Sequence, residues 1–214
     1  MPQNFTSAPE NYEIHSFVSE GPDIVVTPAE HKGRGVLHSH SFYEIVYVAE
    51  GFTLHQSCGR ITMLITGDFF FVKPGEVHSY INAYQTKLYN LLFVPAALGD
   101  SFSALSALPG LDEMFSPSGE SLDPTHRLLH VSIGERRNIE SALEKMIGER
   151  ENKNVGWEVS LGARLTSLLI KYARMYDEQY DEHSAGGKKR SDNDYYGYIY
   201  KLLCYVDKHY AEDL

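Results

Sequence analysis

Two stretches decide how this chain folds. The first is His38-Ser39-His40-Ser41-Phe42-Tyr43-Glu44, closed by Gly51. The second runs from Gly67-Asp68 through Pro74-Gly75 to His78-Ser79-Tyr80-Ile81-Asn82. Side chains alternate across a strand with period two. His38, His40, Phe42 and Glu44 therefore share one face of the first stretch, while His78, Tyr80, Asn82 and Tyr84 share one face of the second. If both strands line a small barrel, three imidazoles and one carboxylate converge on its interior. Such a donor set suits zinc, iron, nickel or manganese, with positions left open. It equally suits a polar pocket for a small molecule. The glycines read as turn chemistry: Gly51 ends a strand, Gly67-Asp68 opens the next, and Pro74-Gly75 bends the chain ahead of His78.

Working outward, strand-like runs fill residues 12 to 94. They are Tyr12–Val18, Asp23–Thr27, Phe42–Val48, Phe52–Gln56, Ile61–Thr66, Phe69–Val72, His78–Tyr84 and Lys87–Val94. About eight short strands with turn residues between them predict a barrel or double-sheet sandwich. After Pro95 the pattern changes. Ala96–Leu108 reads as a short helix closed by Pro109-Gly110, and residues 111 to 131 look irregular. Ser132-Ile133-Gly134-Glu135 is a capping-box sequence ahead of a helix. Its apolar stripe is Ile139, Leu143, Met146 and Ile147; a second helix, from about 155 to 180, carries Leu161, Leu165, Leu168, Leu169, Tyr172 and Tyr176 at helical spacing. Joined by Glu151-Asn152-Lys153-Asn154, the two form an antiparallel pair whose stripe covers the barrel wall. Trp157 caps this hairpin or anchors a partner seam.

The expected fold is thus mainly β, a double-stranded barrel over 1–95 followed by a helical region over 96–180. Residues 181–192, with Gly186-Gly187 and the cluster Lys188-Lys189-Arg190, have linker composition. A last helix over 193–214 stops at Ala211-Glu212-Asp213-Leu214, like the opening of a further domain.

A net charge of −10 argues against this chain gripping a polyanion over a broad face. Cys58 and Cys204 form no disulfide framework, which fits a reducing cytoplasm. There is no signal-peptide pattern at the N-terminus and no apolar run long enough to span a membrane. Cys58 reads as inert, and His126, His130 and His183 as surface residues without metal spacing.

The two opening stretches resemble the paired signature of the cupin barrel, in which His38, His40, Glu44 and His78 match metal ligands. Lys73 departs from the proline that cupin enzymes often carry there. More broadly, HSHSFYEIVYVAEG, GDFFFVKPGEVHSY and LYNLLFVP resemble the sensor half of AraC-type bacterial transcription regulators, with rhamnose-operon regulators the nearest likeness. The tail YIYKLLCYVDKHYAEDL resembles the first helix of that family's helix-turn-helix DNA-binding domain. The resemblance implies a cytoplasmic, homodimeric activator domain. It would sense a sugar or other small molecule, by family habit a sugar, and reach promoter DNA only through a C-terminal half missing beyond its first helix.

The expected ligand-binding residues are His38, His40, Phe42, Glu44, His78, Tyr80 and Asn82, with His38, His40, Glu44 and His78 as the metal set if a metal is held. Taken singly, Phe42 and the tyrosines read as barrel filling. The polar set reads as functional, because buried imidazole and carboxylate groups are costly unless satisfied. No catalytic residue is assigned. The rival is a metal-dependent cupin enzyme, an oxygenase or a sugar isomerase or epimerase, and the regulator-like tail is the feature that speaks against it.

Overall fold

The computed structural model describes residues 9–57, 59–116 and 128–181. Cys58, Cys204, His126, His183, nearly all of the 181–192 linker and the 193–214 helix lie outside the described residues. The chain divides into two compact units, 1–178 and 179–214. The strands of the first are β1 (Glu10–Tyr12), β2 (Ile24–Gly33), β3 (His38–His40), β4 (Tyr43–Ser57), β5 (Arg60–Ile65), β6 (Asp68–Val72), β7 (His78–Phe93) and β8 (Leu128–His130). The helices are α1 (Ser101–Leu105), α2 (Leu111–Phe115), α3 (Ile133–Asn152) and α4 (Trp157–Asp181).

The strands form one curled sheet in the order β1-β3-β7-β4-β6-β8, with β2 joined to β7 and β5 to β4. Its spine is the antiparallel pair β4 and β7, in register from Tyr43↔Phe93 to Ser57↔His78. Each exchanges its second neighbour along its length. β4 meets β6 over Glu44–Tyr47 and β5 over Phe52–Ser57; β7 meets β2 over most of its length and touches β3 at His38↔His78. These exchanges curl the sheet and bring the motif strand β3 beside the start of β7.

The segment Tyr43–Val48 is buried at every position, so both of its faces are covered. One face looks into the curl. The other meets the helices: the Tyr47 hydroxyl donates to Glu140 of α3 at 3.2 Å, and Tyr172 of α4 sets its ring edge-on to Phe69 and Phe71 at 6.0 and 6.5 Å. Ile139, Leu143 and Met146 of α3 and Leu161, Leu165, Leu168, Leu169, Tyr172 and Tyr176 of α4 are buried. The apolar stripes thus cover the sheet's outer wall, as their spacing requires.

Several local expectations change. Beyond Tyr12 the chain is not strand: Ile14–Ser16 is a single 3-10 turn. β7 is continuous where two strands were read, because Gln85 takes a positive φ of 44° inside the strand without ending it. Residues 111–131 are not simply irregular, since they hold α2 and β8, and β8 pairs with β6 through Phe69↔Leu129. A three-residue strand is too short for its period to show in sequence. The sheet therefore does not stop at residue 95. His130 is not a free surface residue: its Nδ1 lies 2.7 Å from the Oδ1 of fully buried Asp68. The capping box is not made either. Ser132 is the N-cap residue but its side chain makes no capping bond, and the Glu135 carboxylate is taken by Lys171 and Asn138. A charge-assisted partner outcompetes a backbone amide for that carboxylate.

Trp157 closes over Gly21. That glycine has φ of 74°, and a Cβ there would lie 2.3 Å from the indole. Arg150 donates to the carbonyls of Glu20 and Pro22 at 3.3 and 3.1 Å and lies over the same indole at 5.8 Å. The helix hairpin thus grips the chain just ahead of β2. Gly21→Ala adds both a left-handed φ penalty and a clash, so it should destabilise the domain by about 2 kcal/mol in urea unfolding. An unchanged midpoint would show that the grip is loose.

Candidate functional site

The site begins with three imidazoles whose outer nitrogens are already committed. His40 Nδ1 lies 2.7 Å from the Phe42 carbonyl, His38 Nδ1 2.9 Å from that of Val36, and His78 Nδ1 3.3 Å from that of Glu76. A carbonyl only accepts, so each Nδ1 carries hydrogen and donates. Nε2 is then the inward nitrogen of each ring. Those of His40 and His78 lie 3.0 and 3.3 Å from the same Glu44 Oε2. The rings of His38 and His78 are 4.1 Å apart, those of His40 and His78 5.1 Å.

Backbone geometry makes this convergence. The Pro74-Gly75 turn is tied to β3 by the Gly75 amide, which donates to the His40 carbonyl at 2.7 Å. The departure at Lys73 does not disturb the turn. Its amide donates to the Glu76 carboxylate at 3.1 Å, and its buried ammonium donates to the hydroxyl and carbonyl of Ser116 at 2.7 and 3.2 Å.

His40, Glu44 and His78 are all at least nine-tenths buried. Burial works against the Glu44 charge, but hydrogen bonds from His40 and His78 and their positive charge outweigh it and hold the carboxyl well below its usual range. Burial, then His78, pushes the His38 imidazole down. For a ring whose Nδ1 already donates, the Nε2 lone pair facing Glu44 calls for a proton or a cation. Ligand atoms of His38, Glu44 and His78 lie within 4.8 Å of one another, a set able to hold a metal ion. Imidazoles anchored through Nδ1 to carbonyls are oriented as metal-ligating histidines usually are. His40 reaches this set through its bond to Glu44.

The remaining expected residues divide. Phe42 stacks on His40, with centroids 4.3 Å apart and planes 8° apart. Its outer side joins the apolar cluster of Ile14, Val18, Val25 and Leu92, so it backs the site. Tyr80 is buried among the polar rings; burial, then Glu44, raises its hydroxyl pKa well above the ordinary value. The backbone of Asn82 pairs with Leu54, and its side chain lies outside the described residues.

One interior residue escapes a period-two reading. His55 is fully buried and rings with Phe70, Tyr80 and His78 at 4.7, 5.3 and 5.4 Å. Counted from Glu44 in steps of two, an odd-numbered residue belongs outside. Gly51 reverses that count. It does not end the strand: β4 runs through it with φ of 78° and register shifts between Val48 and Phe52. A bulge moves the inward face from even to odd positions. Thr53, His55 and Ser57 are accordingly buried, while Leu54 and Gln56 are partly exposed. The glycine inside an otherwise strand-like run was the available signal.

The chain is similar to known proteins. The HTH-type transcriptional activator RhaR of Klebsiella pneumoniae subsp. pneumoniae is 27% identical over 141 residues, 66% of this chain and 48% of that protein. The activator of the same name from Escherichia coli O139:H28 is 29% identical over 133 residues, 62% and 42% of the two chains. The chain thus spans under half the length of these relatives. Among solved structures, an RmlC-like cupin from Shewanella frigidimarina matches with TM-score 0.31 at 28% identity, covering 32% of this chain and 64% of that one. KdgF from Halomonas sp. matches with TM-score 0.32 at 21% identity, covering 33% and 69%. Residues 22–169, from just ahead of β2 into α4, match the family described as the AraC-like ligand binding domain, and the chain belongs to that family.

Proposed function

We propose that this domain is the sensing half of a cytoplasmic, AraC-type transcription activator whose effector is a sugar bound inside the curled sheet. The observation that carries this is the convergence of His38, His40, Glu44 and His78 on one interior point. Such groups are costly to bury unless something uses them. A sugar needs directional donors and acceptors beside an aromatic surface, and the neighbouring ring of Tyr80 supplies the latter. Binding proceeds without turnover. The effector favours one arrangement of the domain, since equal affinity for two states would shift nothing. The Trp157 grip on residues 20–22 lies between the N-terminal segment and the helix pair, where such a shift could pass. The domain acts as a homodimer, and promoter DNA is read by a helix-turn-helix half that begins in 193–214. This reading keeps the expected division at 1–95, 96–180, 181–192 and 193–214, with β8 added to the barrel.

The test is thermal shift and calorimetry of the 214-residue chain against L-rhamnose, D-galactose, L-arabinose and myo-inositol, with D-glucuronate as an anionic comparison. A saturable rise in melting temperature with one neutral compound is expected. For ligand at a hundred times its Kd the stabilisation is about 2.7 kcal/mol. No shift with any of them would sink the sugar reading.

A second reading is favoured by the Nδ1-to-carbonyl anchoring, which prepares His38 and His78 for a divalent transition metal (Zn, Ni, Fe or Mn) with Glu44 as the third ligand. Bound there, the ion would supply a Lewis-acid contact to a ligand oxygen. Elemental analysis of unchelated protein beside His38→Ala and His78→Ala decides it. Near-stoichiometric metal lost in both variants supports a metal-loaded sensor. Metal-free protein that still binds a sugar leaves the organic pocket alone.

A further inference from the structure

His55 is buried to 0% exposure, and among the described residues neither of its ring nitrogens has a hydrogen-bond partner. Buried polar groups in native proteins are nearly always satisfied, so an exception points to a missing partner. The ring is not loose. Phe70 meets it edge-on at 4.7 Å and Tyr80 at 5.3 Å, while His78 is tilted against it at 5.4 Å. Opposite it in register stands Tyr80, and beside it on the same inward face stand buried Thr53 and Ser57. A strand built only to fill a core would carry aliphatic residues here, as Val46 and Val48 do before the bulge. His78 lies between the two polar groups, bonded to Glu44 on one side and in ring contact with His55 on the other.

We propose that His55 is a ligand-binding residue that selects neutral, hydroxyl-bearing ligands, its ring nitrogens bonding hydroxyls of a sugar or polyol held against the His40–Glu44–His78 cluster. This deepens the sensor reading above and rests on it. The class follows from the donor pattern. A neutral imidazole offers one N–H and one lone pair. A hydroxyl can serve both because it accepts and donates, whereas a carboxylate only accepts and would also face the buried charge of Glu44.

The experiment measures affinity for the neutral sugar or polyol of the panel above that binds best, and melting temperature without ligand, in wild type, His55→Phe and His55→Gln. His55→Phe should bind about 10- to 100-fold more weakly, the range for leaving a hydrogen-bonding partner unmet. Its ligand-free melting temperature should hold or rise, since an apolar ring replaces an unsatisfied one. His55→Gln, which keeps a donor and an acceptor, should fall between and serves if the phenylalanine variant does not fold. Unchanged affinity in either variant would overturn the assignment of His55 while leaving the sensor reading intact. So would a lower melting temperature with wild-type affinity, which marks a purely structural residue. Tighter binding of D-glucuronate than of every neutral compound would overturn the class. Absence of binding by wild type to the whole panel would bring down both readings together.

Discussion

Glu44→Ala is expected to destabilise the domain by about 3 kcal/mol near pH 6 and to abolish effector binding. Glu44 is the single acceptor for two buried imidazoles, His40 at 3.0 Å and His78 at 3.3 Å, and all three side chains are nearly sealed from water. Removing it leaves two inward nitrogens facing each other without a counter-charge, together with the volume of the lost side chain. Urea unfolding of wild type and variant at pH 6 measures this. A penalty below about 1 kcal/mol at pH 6, the scale of an exposed ion pair, would mean that water enters the cluster freely.

The second large effect is an acid loss of stability that His55 contributes. The groups facing this ring are His78, Glu44 and His38, with Tyr80 and Phe70 packed on it. Burial, then His78, lowers its folded pKa from 6.5 to about 3. Because the folded value is the lower one, the stability it contributes is complete above pH 6.5 and is lost as pH falls toward 3. A fully buried group with that displacement makes wild type lose about 3 kcal/mol more than His55→Phe between pH 7 and pH 4. Denaturant midpoints at half-unit pH steps would show it as a slope difference of about 1.4 kcal/mol per pH unit. Parallel slopes would show that His55 titrates alike in folded and unfolded chains, and hence is hydrated in the fold.

These effects all sit in the interior, and they differ in how far the amino-acid order exposes them. His38, His40, Glu44 and His78 could be placed on converging faces from spacing alone, because the two-residue bend at Ser41 and Phe42 between β3 and β4 keeps the even positions on one side. The stripes of α3 and α4 were equally readable, since a helix of twenty residues repeats its pattern several times. His55 was not, because the register shifts around Gly51 move the later residues of β4 to the opposite face. A glycine in sequence marks either a strand end or a bulge, and only the partner strand decides which. Glu135 shows the same limit on a helix. Its capping-box position was visible, but Lys171, thirty-six residues away, was the stronger partner.

What the sequence determined by itself is therefore local and periodic: a mainly β, curled-sheet domain with a covering helix pair, the family, and the four-residue polar set. Tertiary structure alone decided the partners. It placed Glu44 between two imidazoles, set Trp157 over Gly21, brought β8 to the sheet edge and turned His55 inward. Faces follow from short-range geometry that a chain carries in its residue order. Contacts depend on register across strands far apart in sequence, and a single inserted residue changes that register.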